Sequence, residues 1–222
     1  HHFVLARVNP GEVVLMTDPG YPAYRSSILM GGGIPYNMPI LAKNNYLPVY
    51  EDIPADILAQ ATAMFLNYPN NPTGACATRE FFDRTVAFAK AHDIAVCYDN
   101  PYSEILFDGQ ERLSFLTAAG AKSVGVELNS LSKPYNMTGW RIGMVVGNPE
   151  LIAAMSKVKE NTDSGIFNPI QYAAILALKQ ETNNINKMLA IYGKRRDLVL
   201  ATLRRIGINF AAPKGTFYLW VP

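Results

Sequence analysis

The chain has 222 residues, 49% hydrophobic and 17% charged, with 20 Lys and Arg against 18 Asp and Glu for a formal net charge of +2. This composition excludes a disordered or coiled-coil chain and gives enough length for one large domain, or one and a half, around a sizeable core. The near-neutral balance offers no electrostatic case for nucleic acid or an anionic membrane surface, and the apolar runs at 28–30 and 142–146 are cut by glycine, proline or polar residues well before the ~18 residues a bilayer span needs. Cys76 and Cys97 have neither CxxC nor zinc spacing and read as reduced residues of a cytoplasmic protein; three histidines are too few for a histidine-rich metal site.

Taken in chain order, residues 1–7 read as a helix already under way, the sign of a segment from a longer protein. Residues 13–16 are a β-branched strand run ending in the turn Thr17-Asp18-Pro19-Gly20. A second strand, 63–66, leads into Asn67-Tyr68-Pro69-Asn70-Asn71-Pro72-Thr73-Gly74, a dense turn signal. Thr78 is a helix N-cap, with Phe81, Phe82, Val86 and Ala89 on one helical face and His92 complementing the dipole at the helix end. Strands follow at 94–98, 123–128 and 142–146. Residues 149–205 read mostly as helix, with Met188, Ile191, Tyr192 and Leu198 as an apolar stripe and Lys194, Arg195, Arg196, Arg204 and Arg205 as its solvated face. A last strand is expected at 217–221.

Strands alternating with helices predict an α/β fold, three layers α/β/α around a mostly parallel mixed sheet. In such sheets ligands sit outside the carboxyl ends of the strands. Asn71 follows the strand at 63–66, Asp99 caps 94–98, and Ser130–Lys133 follow 123–128, so three polar clusters converge on one rim.

The residue types on that rim suggest a chemistry. In Ser130-Leu131-Ser132-Lys133, a lysine in an apolar setting has its ammonium disfavoured by desolvation, leaving the nucleophilic amine that a Schiff base requires. A plain surface-loop lysine is the alternative. Arg141, flanked by Gly139 and Gly143, can bind a phosphate bidentately while the glycines admit close backbone approach, and the hydroxyls of Ser130 and Ser132 can serve the same anion. Asp99 is costly at the end of a buried strand unless a cation faces it, and a protonated pyridine nitrogen would be one; a turn aspartate capping its own backbone is the plainer reading. Tyr102 lies within reach of a ring oxygen, Pro72 holds Asn71 extended, and Tyr21 sits at a strand-to-helix turn where it stacks on a flat ring or packs in the core.

The ordered set Asn71-Pro72-Thr73-Gly74, Asp99 with Tyr102, and Ser130-Leu131-Ser132-Lys133 with Arg141 resembles the fold-type I pyridoxal-phosphate enzymes of the class I/II aminotransferase family. The stretches 99–109, 129–147, 161–171 and 214–221 look most like the LL-diaminopimelate aminotransferase branch. The resemblance implies pyridoxal 5'-phosphate as cofactor, amino acids and 2-oxo acids as substrates, a cytoplasmic homodimer, and no nucleic-acid or membrane partner. It assigns Lys133 as the covalent tether of the cofactor, Asp99 as partner of the pyridine nitrogen, Tyr102 and Asn71 as holders of the ring oxygen, Ser130, Ser132 and Arg141 as phosphate ligands, and Tyr21 as the stacking ring. It implies a large cofactor domain over 1–205 and the start of a small domain over 206–222. The family's upstream phosphate-binding glycine turn, its partner-subunit tyrosine and its carboxylate-gripping arginine fall outside the sequence. A carbon–sulfur β-lyase would use the same cofactor residues, and a non-catalytic binding domain on the same scaffold stays open. The S-x-x-K reading of 130–133 as a serine acyl-transferase motif lacks its companion K-T-G and S-D-N, and Gly31-Gly32-Gly33 does not make a nicotinamide-binding fingerprint.

Overall fold

The structure is a computed structural model that describes residues 1–179 and 183–221. In chain order the elements are α1 (His2–Arg7), β1 (Val13–Asp18), α2 (Pro22–Met30), β2 (Ile34–Pro39), α3 (Ala55–Leu58), β3 (Ala61–Asn67), α4 (Arg79–His92), β4 (Ala95–Asp99), α5 (Ala121–Val124), β5 (Gly125–Ser130), β6 (Gly143–Gly147), α6 (Pro149–Thr162), α7 (Asn168–Lys179) and α8 (Asn183–Arg205). The strands form a six-stranded sheet in the order β2-β1-β3-β4-β5-β6, parallel throughout except for the antiparallel β5–β6 pair at one edge. This is the expected mixed, mostly parallel sheet.

The central strands are apolar on both faces because helices cover both. Alternate residues of a strand point to opposite sides, and the two cores divide accordingly. Leu15, Met64, Leu66, Val96 and Tyr98 join Phe81, Phe82, Val86 and Ala89 of α4 on one face. Val14, Met16, Phe65 and Cys97 join Phe3 and Val4 of α1, Tyr24 and Ile28 of α2 and Met155 of α6 on the other. The three layers follow directly. Thr78 caps α4 as expected, its hydroxyl accepting from the Phe81 amide at 3.1 Å.

Several expectations shift. β2 was not foreseen, because its Ile-Pro-Tyr-Asn-Met-Pro sequence carries two prolines; it is an edge strand, where proline is tolerated. The start of the expected 123–128 strand is helical, in α5. The 149–205 stretch divides into α6, α7 and α8, while Gln180, Glu181 and Thr182 lie outside the described residues. No strand forms over 217–221. The segment before it instead makes an isolated bridge between Gly215 and Leu106, with Thr216 in a left-handed conformation (φ +64°) that ends any extended run. The basic face of α8 is not wholly solvated either. The Arg196 side chain is only 12% exposed, lies over the Phe107 ring at 4.6 Å and binds both carboxylate oxygens of Asp108 at 2.7 and 3.0 Å. Of the apolar stripe, Met188 is buried, whereas Ile191 and Leu198 stand exposed. No helix among the described residues is long and apolar enough to cross a membrane.

Candidate active site

Strand parity and register build the first half of the site. Asp99, the last residue of β4, has the parity of Cys97 and so points to the face that α2 covers. There the Tyr24 hydroxyl donates to Asp99 Oδ2 at 2.6 Å. The carboxylate therefore does not cap its own turn; its hydrogen-bond donor is a buried, neutral phenol. Burial pushes the Asp99 carboxyl up to about 6, against the opposing pull of the Tyr24 hydrogen bond. Burial, with the Asp99 charge behind it, likewise drives the Tyr24 phenol well above its ordinary value. Such a carboxylate gains from any cation brought against its open side.

Register supplies the neighbour. Asn67 pairs with Asp99 across β3 and β4, and its side-chain amide donates to the Asp99 carbonyl at 2.8 Å while its Oδ1 accepts from the Asn71 amide at 2.8 Å. Asn71 is thus anchored beside Asp99 through Asn67, with its side chain half-buried and the Asn71–Pro72 peptide cis. Tyr21 occupies the N-cap position of α2 with extended backbone and is 45% exposed, which excludes a packed core tyrosine. Its ring stands edge-on to Tyr24 at 5.6 Å. Gly20 is required in this turn, since a Cβ there would lie 2.3 Å from the Thr17 carbonyl oxygen.

The second half comes from loops. Tyr102 is buried in the turn after β4. Its phenol is raised first of all by burial, with the nearby Asp99 charge acting in the same direction. Tyr102 and Tyr218 hydroxyls are 3.0 Å apart. The Phe217 ring packs edge-on against Tyr102 at 5.5 Å, and the ammonium of half-buried Lys133 sits 5.6 Å from the same ring's centroid. One set of contacts joins Tyr21, Tyr24 and Asp99, and a second joins Tyr102, Phe217 and Lys133.

The expected phosphate ligands lie along the adjoining end of β5 and β6. Ser130 pairs with Gly143 in register, its hydroxyl accepts from the Ser132 amide at 3.1 Å, and Ser132 is buried. Arg141 precedes β6 in a left-handed conformation (φ +52°), with its guanidinium exposed and one nitrogen donating to the Thr138 carbonyl at 2.9 Å. Ser130, Ser132 and Arg141 thus reach Lys133 through their shared loop rather than through side-chain contacts. Of the glycines beside Arg141, Gly143 packs against β5, where a Cβ would lie 2.6 Å from the Asn129 carbonyl oxygen, while Gly139 faces open space.

Tyr24, Asn67, Phe217 and Tyr218 were missed from sequence. Tyr24 carried a signal, being three residues beyond Tyr21 and so on the same side of the first turn of α2. Asn67 carried one too, through its shared parity with Asp99. Phe217 and Tyr218 did not, because an extended reading of 217–221 hides the turn that aims them.

The sequence matches the aminotransferase class I and II family over residues 2–222. The chain belongs to that family. Among its relatives, the LL-diaminopimelate aminotransferases of Syntrophobacter fumaroxidans and Gloeobacter violaceus are 48% and 47% identical over 221 and 222 residues, all of this chain and 57% of each relative. The chain thus spans little more than half the length of the curated aminotransferases it matches. Among solved structures, the apo form of BacF from Bacillus subtilis superposes with a TM-score of 0.96 at 41% identity, over 99% of this chain and 56% of that one. A probable N-succinyldiaminopimelate aminotransferase from Thermus thermophilus gives 0.92 at 30% identity, over 100% and 60%. The aminotransferase fold is therefore shared across nearly the whole chain.

Proposed function

We propose that this chain forms the cofactor-holding part of a pyridoxal-phosphate-dependent aminotransferase that moves an amino group between an amino acid and a 2-oxo acid, with LL-diaminopimelate as the amino donor. The observation that carries the reading is the buried Asp99 carboxylate, engaged by the Tyr24 hydroxyl at the carboxyl end of β4. That donor set fits the cofactor: a desolvated acid suits a pyridinium nitrogen, and the Lys133 amine after β5, the strand next to β4, suits an aldehyde. The names of the most similar relatives support the donor.

Pyridoxal phosphate, when bound, supplies an aldehyde that condenses with amines and a ring that draws in the electrons released when the α-proton leaves. Lys133 would hold the cofactor covalently through Nζ, and the same amine, when free, would take up the α-proton and deliver it to the acceptor carbon. Asp99 keeps a proton on the ring nitrogen, and Tyr24 holds the Asp99 carboxylate ionised and oriented. Tyr102 and Asn71 would orient the ring oxygen, Tyr21 would cover the ring face, and Ser130, Ser132 and Arg141 would bind the phosphate. We assign residues 1–205 to the large domain and 206–222 to the start of the small one, and the protein to a cytoplasmic homodimer.

An amino-donor screen followed by the cofactor's visible spectrum tests the reading. LL-diaminopimelate with a 2-oxo acid acceptor should yield the matching amino acid, one per donor consumed. Pyruvate and ammonia formed without any acceptor would instead make the protein a β-lyase, and absence of a visible band after cofactor loading would remove the cofactor altogether.

A further inference from the structure

The segment that carries Phe217 and Tyr218 is fastened to the site rather than to the sheet. The Thr216 amide donates to the Ile105 carbonyl at 2.9 Å, the Phe107 amide to the Lys214 carbonyl at 2.9 Å, and the Gly215 amide to the Gly74 carbonyl at 3.2 Å. One strap therefore grips both the turn bearing Tyr102 and the turn bearing Asn71. Thr216 is fully buried and left-handed, an uncommon state for a threonine, and its hydroxyl accepts from the Tyr218 amide at 3.1 Å. That local turn sets both following rings against Tyr102, Phe217 at 5.5 Å and Tyr218 at 5.8 Å from its ring and each nearly perpendicular to it, with Phe217 also reaching solvent.

Resting on the function proposed above, we infer that Tyr218 is a positioning residue: its hydroxyl donates to Tyr102 Oη and so directs the Tyr102 proton toward the cofactor's ring oxygen. A tyrosine hydroxyl has one proton to give and lone pairs with which to accept. Tyr218 is half-buried, so its oxygen can accept from solvent while its proton is free to turn inward; Tyr102 is buried, so its own proton needs a partner inside the site. Accepting from Tyr218 polarises the Tyr102 hydroxyl and makes it a stronger donor. A strong donor draws charge from the ring oxygen, which then holds the neighbouring proton of the Lys133 linkage less tightly.

The test is Tyr218→Phe in the cofactor-loaded protein, alone and in a Tyr102→Phe background. The phenyl ring keeps the packing, and the melting temperature of the single variant is expected within about 2 °C of the parent. The pH midpoint at which the bound cofactor's visible band changes is expected to rise by on the order of half a unit, the size of one neutral hydrogen bond, and kcat to fall roughly 3- to 10-fold. In the Tyr102→Phe background, Tyr218→Phe should move the midpoint no further, because the donor it acts through is gone. An unchanged midpoint in the single variant, or an undiminished shift in the double variant, overturns the inference. A parent protein with no visible band after loading overturns the proposed function instead, so the two failures are distinguishable.

Discussion

The two halves of the site are held by different means. Asp99, Asn67 and Tyr24 stand on regular elements whose flanking residues are buried on both faces, and every link between them is a direct hydrogen bond. Lys133, Phe217 and Tyr218 stand on loops and reach one another through ring contacts and the strap over residues 105–107. The surroundings differ in the same way. The sheet's central strands expose almost nothing, while α7, α8 and the connections beside them present Phe167, Tyr172, Leu176, Leu198 and Ile206 to solvent. A well-packed rim thus holds Asp99, and a wall with more exposed apolar side chains carries Lys133, the arrangement that the proposed function would use to keep one group fixed and let another move.

Substitutions sharpen that contrast, the largest effect coming from the loop half. Lys133→Ala should lower turnover roughly a thousandfold or more, since the proposed function gives base and tether to one atom, and borohydride treatment followed by mass measurement should find no attached cofactor. Attachment and turnover surviving in Lys133→Ala would break the comparison. On the rim, Asp99→Asn should cost roughly 10²–10³ in kcat, the range for one preorganised electrostatic partner, with cofactor still bound by Lys133.

A pH experiment isolates the rim without catalysis. The folded Asp99 carboxyl lies at about 6, above its ordinary 3.8. The folded state therefore binds more protons than the unfolded chain between these values, and stability falls as pH rises from about 4 to about 6. The integrated loss is about 2–3 kcal/mol in the cofactor-free protein. Urea unfolding across that window should show the decline in the parent and none in Asp99→Asn, and Tyr24→Phe should extend the decline to higher pH because the hydrogen bond that lowers the carboxyl is lost. The smallest effect belongs to the wall. Arg196→Ala removes a clasp whose Asp108 partner is more than half exposed, so about 1 kcal/mol of stability is expected to go, read as a modest drop in the urea midpoint.

Much of this was legible in residue order. Val13 to Met16 and the capped helix from Thr78 gave strand and helix because β-branched runs and hydroxyl caps act within a few residues. Asp99, Lys133 and Arg141 stand out in combination, an acid and an amine after predicted strands with an arginine eight positions beyond the lysine, the set that carries the family resemblance. Tyr24 and Asn67 required knowing which strand faces which helix. Phe217 and Tyr218 required a turn set by contacts with Ile105 and Gly74, more than 100 positions away.

The sequence by itself determined the alternation of elements, the layer architecture and the chemical identity of the rim, since each follows from short-range periodicity and from the cost of polar groups at strand ends. Only the tertiary structure decided that the partner of Asp99 is a phenol, that Arg196 is clasped, and that residues 213–218 fold back as a strap. Those outcomes depend on long-range packing, in which a single left-handed residue at position 216 redirects two aromatic rings that local propensity alone would have aligned as a strand.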